Sequence, residues 1–145
     1  GSRCFFIPPE KESATKAETK CQSYGPSGTL FQIRSEEDNA ALIYYRKRMQ
    51  GYYLSSAWIS GDCREGNSWY FTNTDIKMGF FKWATKYANI VGDARYKCVA
   101  LVSERRTGAG FWRPRICDTP SDHHQVVCQI NKNNVPEIPC QDRIS

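Results

Sequence analysis

Seven cysteines in a chain of 145 residues constrain this sequence more than any other feature. So many thiols at this length point to an oxidised, extracellular protein whose fold is stapled by disulfides. The odd count leaves at least one thiol without an intrachain partner. The length fits one domain, and 40% hydrophobic with 13% aromatic residues supplies a core. No apolar run reaches the roughly 20 residues of a membrane span. The formal net charge of +5 permits an acidic partner without requiring one. Gly1 and Ser2 read as an expression scar, with any leader or neighbouring domain removed. No internal repeat, low-complexity segment or Asn-x-Ser/Thr acceptor is present.

Two helices are expected early in the chain. Across Glu10–Tyr24, Ala14, Ala17 and Cys21 recur at helical spacing, and Gly25-Pro26 ends the run. Ser35-Glu36-Glu37-Asp38 reads as a variant capping box that opens a second helix, with Leu42, Tyr45 and Met49 on one face and Gly51 as its stop. Short strands are expected at Ala57–Ser60, Trp69–Phe71, Cys98–Val102, Gly110–Trp112 and Gln125–Ile130. In the last, Val126, Cys128 and Ile130 face one way and Gln125 and Gln129 the other. The stretch from Thr72 to Lys97 has no clean period and reads as a long functional loop. The segment from 131 onward reads as a tail or a strap, tied down if Cys140 is bonded. The fold class is α+β, with one domain over residues 3–131 and the tail or strap over 132–145.

The order of landmarks resembles the C-type lectin-like domain. Cys4-Phe5-Phe6 resembles its opening strand. Cys21, then Leu30, Ile33 and Ser35-Glu36-Glu37, resemble its first-helix cysteine and second-helix entry. Ala57-Trp58-Ile59-Ser60 resembles its Trp-Ile-Gly-Leu strand, and Gly66-Asn67-Ser68-Trp69-Tyr70-Phe71 the strand after it. Trp83, Cys98-Val99-Ala100-Leu101, Trp112, Cys117 and Cys128 follow in family order. The Trp-x-Ser-Gly shape at Trp58 and the Phe-x-x-Trp shape ending at Trp83 resemble invertebrate members.

The resemblance implies disulfides Cys21–Cys128 and Cys98–Cys117, leaving Cys4, Cys63 and Cys140. It places the first and last strands side by side, which suits Cys4–Cys140 with Cys63 as the unpaired thiol. Cys4–Cys63 with Cys140 left over stays open, as does a bond from Cys4 to a cysteine upstream of this sequence. An unpaired thiol would be buried or would link two copies, so a covalent or non-covalent homodimer is within reach.

Many members of that family bind sugars through calcium, which requires six to eight oxygen ligands. Here the family's first ligand triplet falls on Tyr87-Ala88-Asn89, and only Asn89 is retained. The second falls on Trp112-Arg113-Pro114, where a guanidinium would repel the cation, and the acidic position before the cysteine is Lys97. No metal or other cofactor is therefore expected, with Asp75 or Asp93 as the remaining route to an off-pattern calcium site. The loop is basic instead. Lys82, Lys86, Arg95, Lys97, Arg105, Arg106, Arg113 and Arg115 stand against Asp93 and Glu104 alone. With Tyr87, Asn89, Tyr96 and Phe111 they form the candidate ligand face. A merely solvated basic surface is the plain alternative.

Catalysis is not expected. His123 and His124, beside Asp118 and Asp122, are adjacent in a surface loop with no metal-binding or nucleophilic spacing. Nucleic acid is not expected as a partner of an extracellular protein, and the four tryptophans read first as core. The function expected is an extracellular, secreted or cell-surface recognition module that binds a protein partner through the long-loop face without calcium. The alternatives are calcium-independent binding of acidic or sulfated glycans by the same basic face, and a venom-type or structural oligomer subunit.

Overall fold

The first helix forms where its apolar spacing begins. In the computed structural model, which describes residues 3–50, 54–103, 110–131 and 142–144, α1 spans Ala14–Gln22 and buries Ala17 and Cys21. It starts four residues later than the broad stretch suggested, because Glu12 is engaged elsewhere. Its backbone N–H donates to the His124 carbonyl at 2.9 Å and its carbonyl accepts from His124 N–H at 3.0 Å. α2 spans Glu36–Gln50, and Ser35 Oγ caps it by accepting the Asp38 N–H at 3.1 Å. The Asp38 carboxylate does not close the box on Ser35. It accepts from Arg34 N–H at 2.9 Å and from Arg3 at 2.8 Å.

On α2, Leu42 is fully buried and Tyr45 packs against the core, but Met49 is 66% exposed. The inward position near that end belongs to Arg46, which is 1% exposed and donates to the Ser55 carbonyl and to Gln125 Oε1. Burial pulls its pKa down to about 10. A long aliphatic stem lets an arginine occupy a core position once its head has acceptors.

Strands β1 (Arg3–Phe6), β2 (Thr29–Leu30), β8 (Cys128–Asn131) and β9 (Asp142–Ile144) form one sheet in the order β2-β8-β1-β9. β3 (Ala57–Arg64), β4 (Ser68–Tyr70), β5 (Cys98–Leu101) and β6 (Trp112–Arg115) form a second, in the order β4-β3-β5-β6, and β7 (Gln125–Val126) pairs in parallel with β3. β3 runs four residues past Ser60, through the Gly61-Asp62-Cys63 segment that looks like a turn in sequence. The β3–β5 register shifts between Ile59 and Asp62. Gly61 sits at that shift so close to Val99 that an added Cβ would lie 2.2 Å from its Cγ1.

Two expectations for the strands need correcting. The expected strand Gly110–Trp112 forms as Trp112–Arg115, since β6 pairs along Cys98–Leu101 and extends toward Cys117. The expected strand Gln125–Ile130 divides at Val127 and serves both sheets as β7 and β8. Gln129 is consequently buried rather than outward. Its Oε1 accepts from Arg3 Nη1 at 2.7 Å and from Gln32 N–H at 2.8 Å.

Cys21–Cys128 ties α1 to β8 with α-carbons 5.4 Å apart, and Cys98–Cys117 closes the start of β5 at the same distance. Cys4 is also disulfide-bonded, whereas its expected partner Cys140 lies outside the described residues. Cys63 is a free, buried thiol, and burial, aided by Asp62, pushes its pKa up. Two apolar clusters fill the interior. One is centred on Phe5, Phe31, Leu42, Ile59, Leu101 and Trp112, the other on Phe6, Ala17, Trp58, Ala100 and Ile130.

Candidate functional site

β6 alternates between core and surface. Trp112 and Pro114 are buried, while Phe111, Arg113 and Arg115 emerge at spacing two on the same face. The strand lies at the sheet edge, and the loop before β5 returns to it. Trp112 N–H donates to the Lys82 carbonyl and Ala84 N–H to the Trp112 carbonyl, both at 2.8 Å. A short 3-10 helix follows at Thr85–Ile90 and buries none of its residues. Tyr87 N–H returns to the Ala84 carbonyl at 2.9 Å, which holds this aromatic ring beside the strand.

Each outward residue of β6 has its own companion. Lys82 Nζ lies 5.3 Å from the Phe111 ring centroid and is ion-paired with Glu36. The Arg113 guanidinium lies 4.1 Å over the Tyr87 ring, and Lys86 Nζ is 5.7 Å from that ring. Arg115 donates two hydrogen bonds to Asp122, at 3.0 and 2.9 Å. The same carboxylate meets His124 Nε2 at 2.6 Å, and the His124 ring packs edge-on against Trp58. Burial would raise the Asp122 pKa, but the bonds and charge of Arg115, with His124, hold it below the usual range. His124 is pulled down chiefly by burial and then by Arg115, which outweigh the favourable Asp122 contact. Thus His123 is exposed as a loop residue should be, while His124 is half-buried between Asp122 and Trp58.

The remaining candidates are dispersed. Arg95 makes a bidentate pair with Asp93, at 3.1 and 2.8 Å, which lowers the Asp93 pKa to about 2. Its guanidinium also lies 5.6 Å from the Tyr96 ring. Asn89 is exposed on the 3-10 helix. Lys97 lines a separate pocket of about 370 Å³ with Cys63, Asn67 and Ala94. Arg105 and Arg106 lie outside the described residues. The structure therefore brings Lys86 and Arg113 together on the Tyr87 ring, and places Phe111 and Arg115 two residues to either side of Arg113 along the same face. Counting charges only within Lys82–Cys117 misses two counter-ions, Glu36 and Asp122, which come from elsewhere in the chain.

The tryptophans are structural in the main. Trp58, Trp69 and Trp112 are buried. Trp83 is partly buried and meets Trp69 and Trp112 with centroids 5.1 and 5.8 Å away. Asp75 is ion-paired with Arg64 and Asp93 with Arg95. Among the described residues no group of three or more His, Cys, Asp or Glu side chains is placed to hold a metal ion. No helix there is long and apolar enough to cross a membrane.

Two helices and two sheets, tied by Cys21–Cys128 and Cys98–Cys117 and carrying a long loop that returns to β6, make up the domain. The Lectin C-type domain family model matches residues 10–130, and the chain belongs to that family. It is 26% identical over 136 residues to Rheacalcin-2 of Rhea americana, covering 89% of each protein. Its fold is similar to the C-type lectin CEL-I from Cucumaria echinata, with a TM-score of 0.70, 20% identity and coverage of 90% and 91% of the two chains. It is also similar to a calcium-independent type II antifreeze protein, with a TM-score of 0.69, 20% identity and coverage of 90% and 88%. Disulfide-bearing domains of this family are typically extracellular.

Proposed function

We propose that this domain is a non-enzymatic extracellular module that binds a protein partner through the long-loop face without calcium. The observation that carries the reading is the Arg113–Tyr87 stack. These residues stand where the family resemblance puts calcium ligands, and they present a cation on an aromatic ring. The Asp93 carboxylate of the same loop is already engaged by Arg95. Phe111 is 42% exposed, so the face mixes aromatic and arginine groups in the way of protein interfaces. One structural neighbour is itself described as calcium-independent, which supports the same reading for this fold.

A second reading, binding of acidic or sulfated glycans, is favoured by Lys86 and Arg113, which have no carboxylate partner among the described residues. Parallel arrays of extracellular protein domains and of glycans, each probed in calcium and in EDTA, separate the two. The proposal expects protein binding that survives EDTA. Calcium-dependent sugar binding would refute it, and glycan binding alone that persists in EDTA would select the second reading.

A further inference from the structure

We propose that the Phe111–Arg113 step at the start of β6 is a two-point docking site for an acidic segment of the partner protein, with a carboxylate on Arg113 and an apolar side chain on Phe111. This rests on the reading of the loop face as a protein-binding surface and adds what that surface selects.

Lys82, Arg95 and Arg115 are each bound to a carboxylate of this chain. Arg113 is not. Its one hydrogen bond among the described residues runs from Nε to the adjacent Pro114 carbonyl at a long 3.5 Å, which leaves its terminal nitrogens available. A guanidinium stacked on an aromatic face keeps its donor edge outward and has already given up much of its rotamer freedom, so a planar carboxylate is its natural complement. The Tyr87 platform is fixed in turn, because the segment carrying it is hydrogen-bonded to Trp112.

Main-chain pairing with β6 is closed at this step. Trp112 has both its N–H and its carbonyl occupied by residues 82 and 84, and Pro114 has no N–H to give. A partner must therefore engage side chains. Phe111 and Arg113 stand two residues apart on one strand face, roughly 7 Å. An extended peptide spaces its own alternate side chains by the same amount. The matching segment carries an apolar residue and an acidic residue two positions apart. Lys86 beside the same ring, and the net charge of +5, favour that sign of ligand.

The test is an amide NMR titration of the chain at physiological salt with blocked peptides containing Leu-Ser-Asp, its reverse Asp-Ser-Leu, and the Asn counterparts. An acidic peptide is expected to shift the amides of Tyr87, Phe111 and Arg113, and to bind about tenfold more tightly than its Asn counterpart. Arg113→Gln should remove that preference, Phe111→Ala should weaken both peptides, and Lys97→Gln should change neither. Equal binding of Asp and Asn peptides, preference retained in Arg113→Gln, or shifts produced by a heparin oligosaccharide and by no peptide would each overturn the inference. If the array finds an EDTA-resistant protein partner whose binding ignores Arg113→Gln, this inference fails while the broader reading stands.

Discussion

The sheet that joins the chain's two ends and the face carrying the long loop are built by opposite means. In the first, Cys21–Cys128 bonds α1 to β8. In the same sheet a buried Arg3 binds Asp38, Gln129 and the Gln32 carbonyl at 2.6–2.8 Å. In the second, a 3-10 helix with no buried residue hangs from two backbone hydrogen bonds to Trp112 and from the packing of Trp83. Order is concentrated where the fold is specified. The proposed binding face keeps cations on rings and ion pairs at the boundary with water. This is the usual division between a rigid scaffold and a variable face.

The largest losses of stability should come from the scaffold. Replacing Cys21 and Cys128 by alanine releases a closed loop of 107 residues and should cost about 4–5 kcal/mol in denaturant unfolding. A loss under about 1 kcal/mol would show that this sheet does not depend on the staple. Arg3→Met should cost about 3–5 kcal/mol, since it strands the buried Asp38 carboxylate. Adding Asp38→Leu should restore part of that loss if unpaired charge is the cause. Opening Cys98–Cys117, which spans 19 residues, should cost about 3 kcal/mol. It should also speed amide exchange over residues 82–97 while β1 and β8 stay protected. Uniform acceleration would erase the distinction between the two regions.

A smaller effect comes from His124, which sits at their boundary. Its folded pKa is depressed, so the unfolded chain takes up a proton first. Stability should fall as pH drops below about 6.5, the unperturbed histidine value, and stop falling below the folded pKa. The Asp122 contribution runs separately, present above the usual aspartate pKa and lost as pH falls through its depressed folded value. His124→Gln should flatten the thermal midpoint between pH 7 and pH 5, and an unchanged slope would exclude this histidine as the source. The smallest stability changes belong to the face itself. Phe111→Ala and Arg113→Gln should each shift unfolding by less than about 0.5 kcal/mol while weakening partner binding. A large loss of stability would mean these residues are scaffold instead.

Much of the scaffold was legible in sequence because it rests on local codes. Ala14, Ala17 and Cys21 mark one helix face, Ser35 marks a cap, and the aromatic and cysteine landmarks follow family order. Three features escaped because they depend on contacts distant in sequence. Gln129 looks like an outward residue in a β alternation, and it is buried only because Arg3 and Gln32 need its carbonyl oxygen. Arg46 breaks the apolar pattern of α2 since Ser55 and Gln125 supply its acceptors. The last strand gives no hint that Val127 is where it changes sheets.

The candidate site was legible as a composition, basic and aromatic, but not as an arrangement. Which cations remain unneutralised depended on Glu36 and Asp122, remote in sequence or just beyond the window. The stack of Arg113 on Tyr87 joins residues 26 positions apart.

If the loop face binds its ligand without a calcium ion, calorimetry should find no calcium site in the domain. Titrating calcium into the domain at neutral pH should give only heats of dilution up to millimolar concentration. A stoichiometric isotherm with a micromolar dissociation constant would contradict the account.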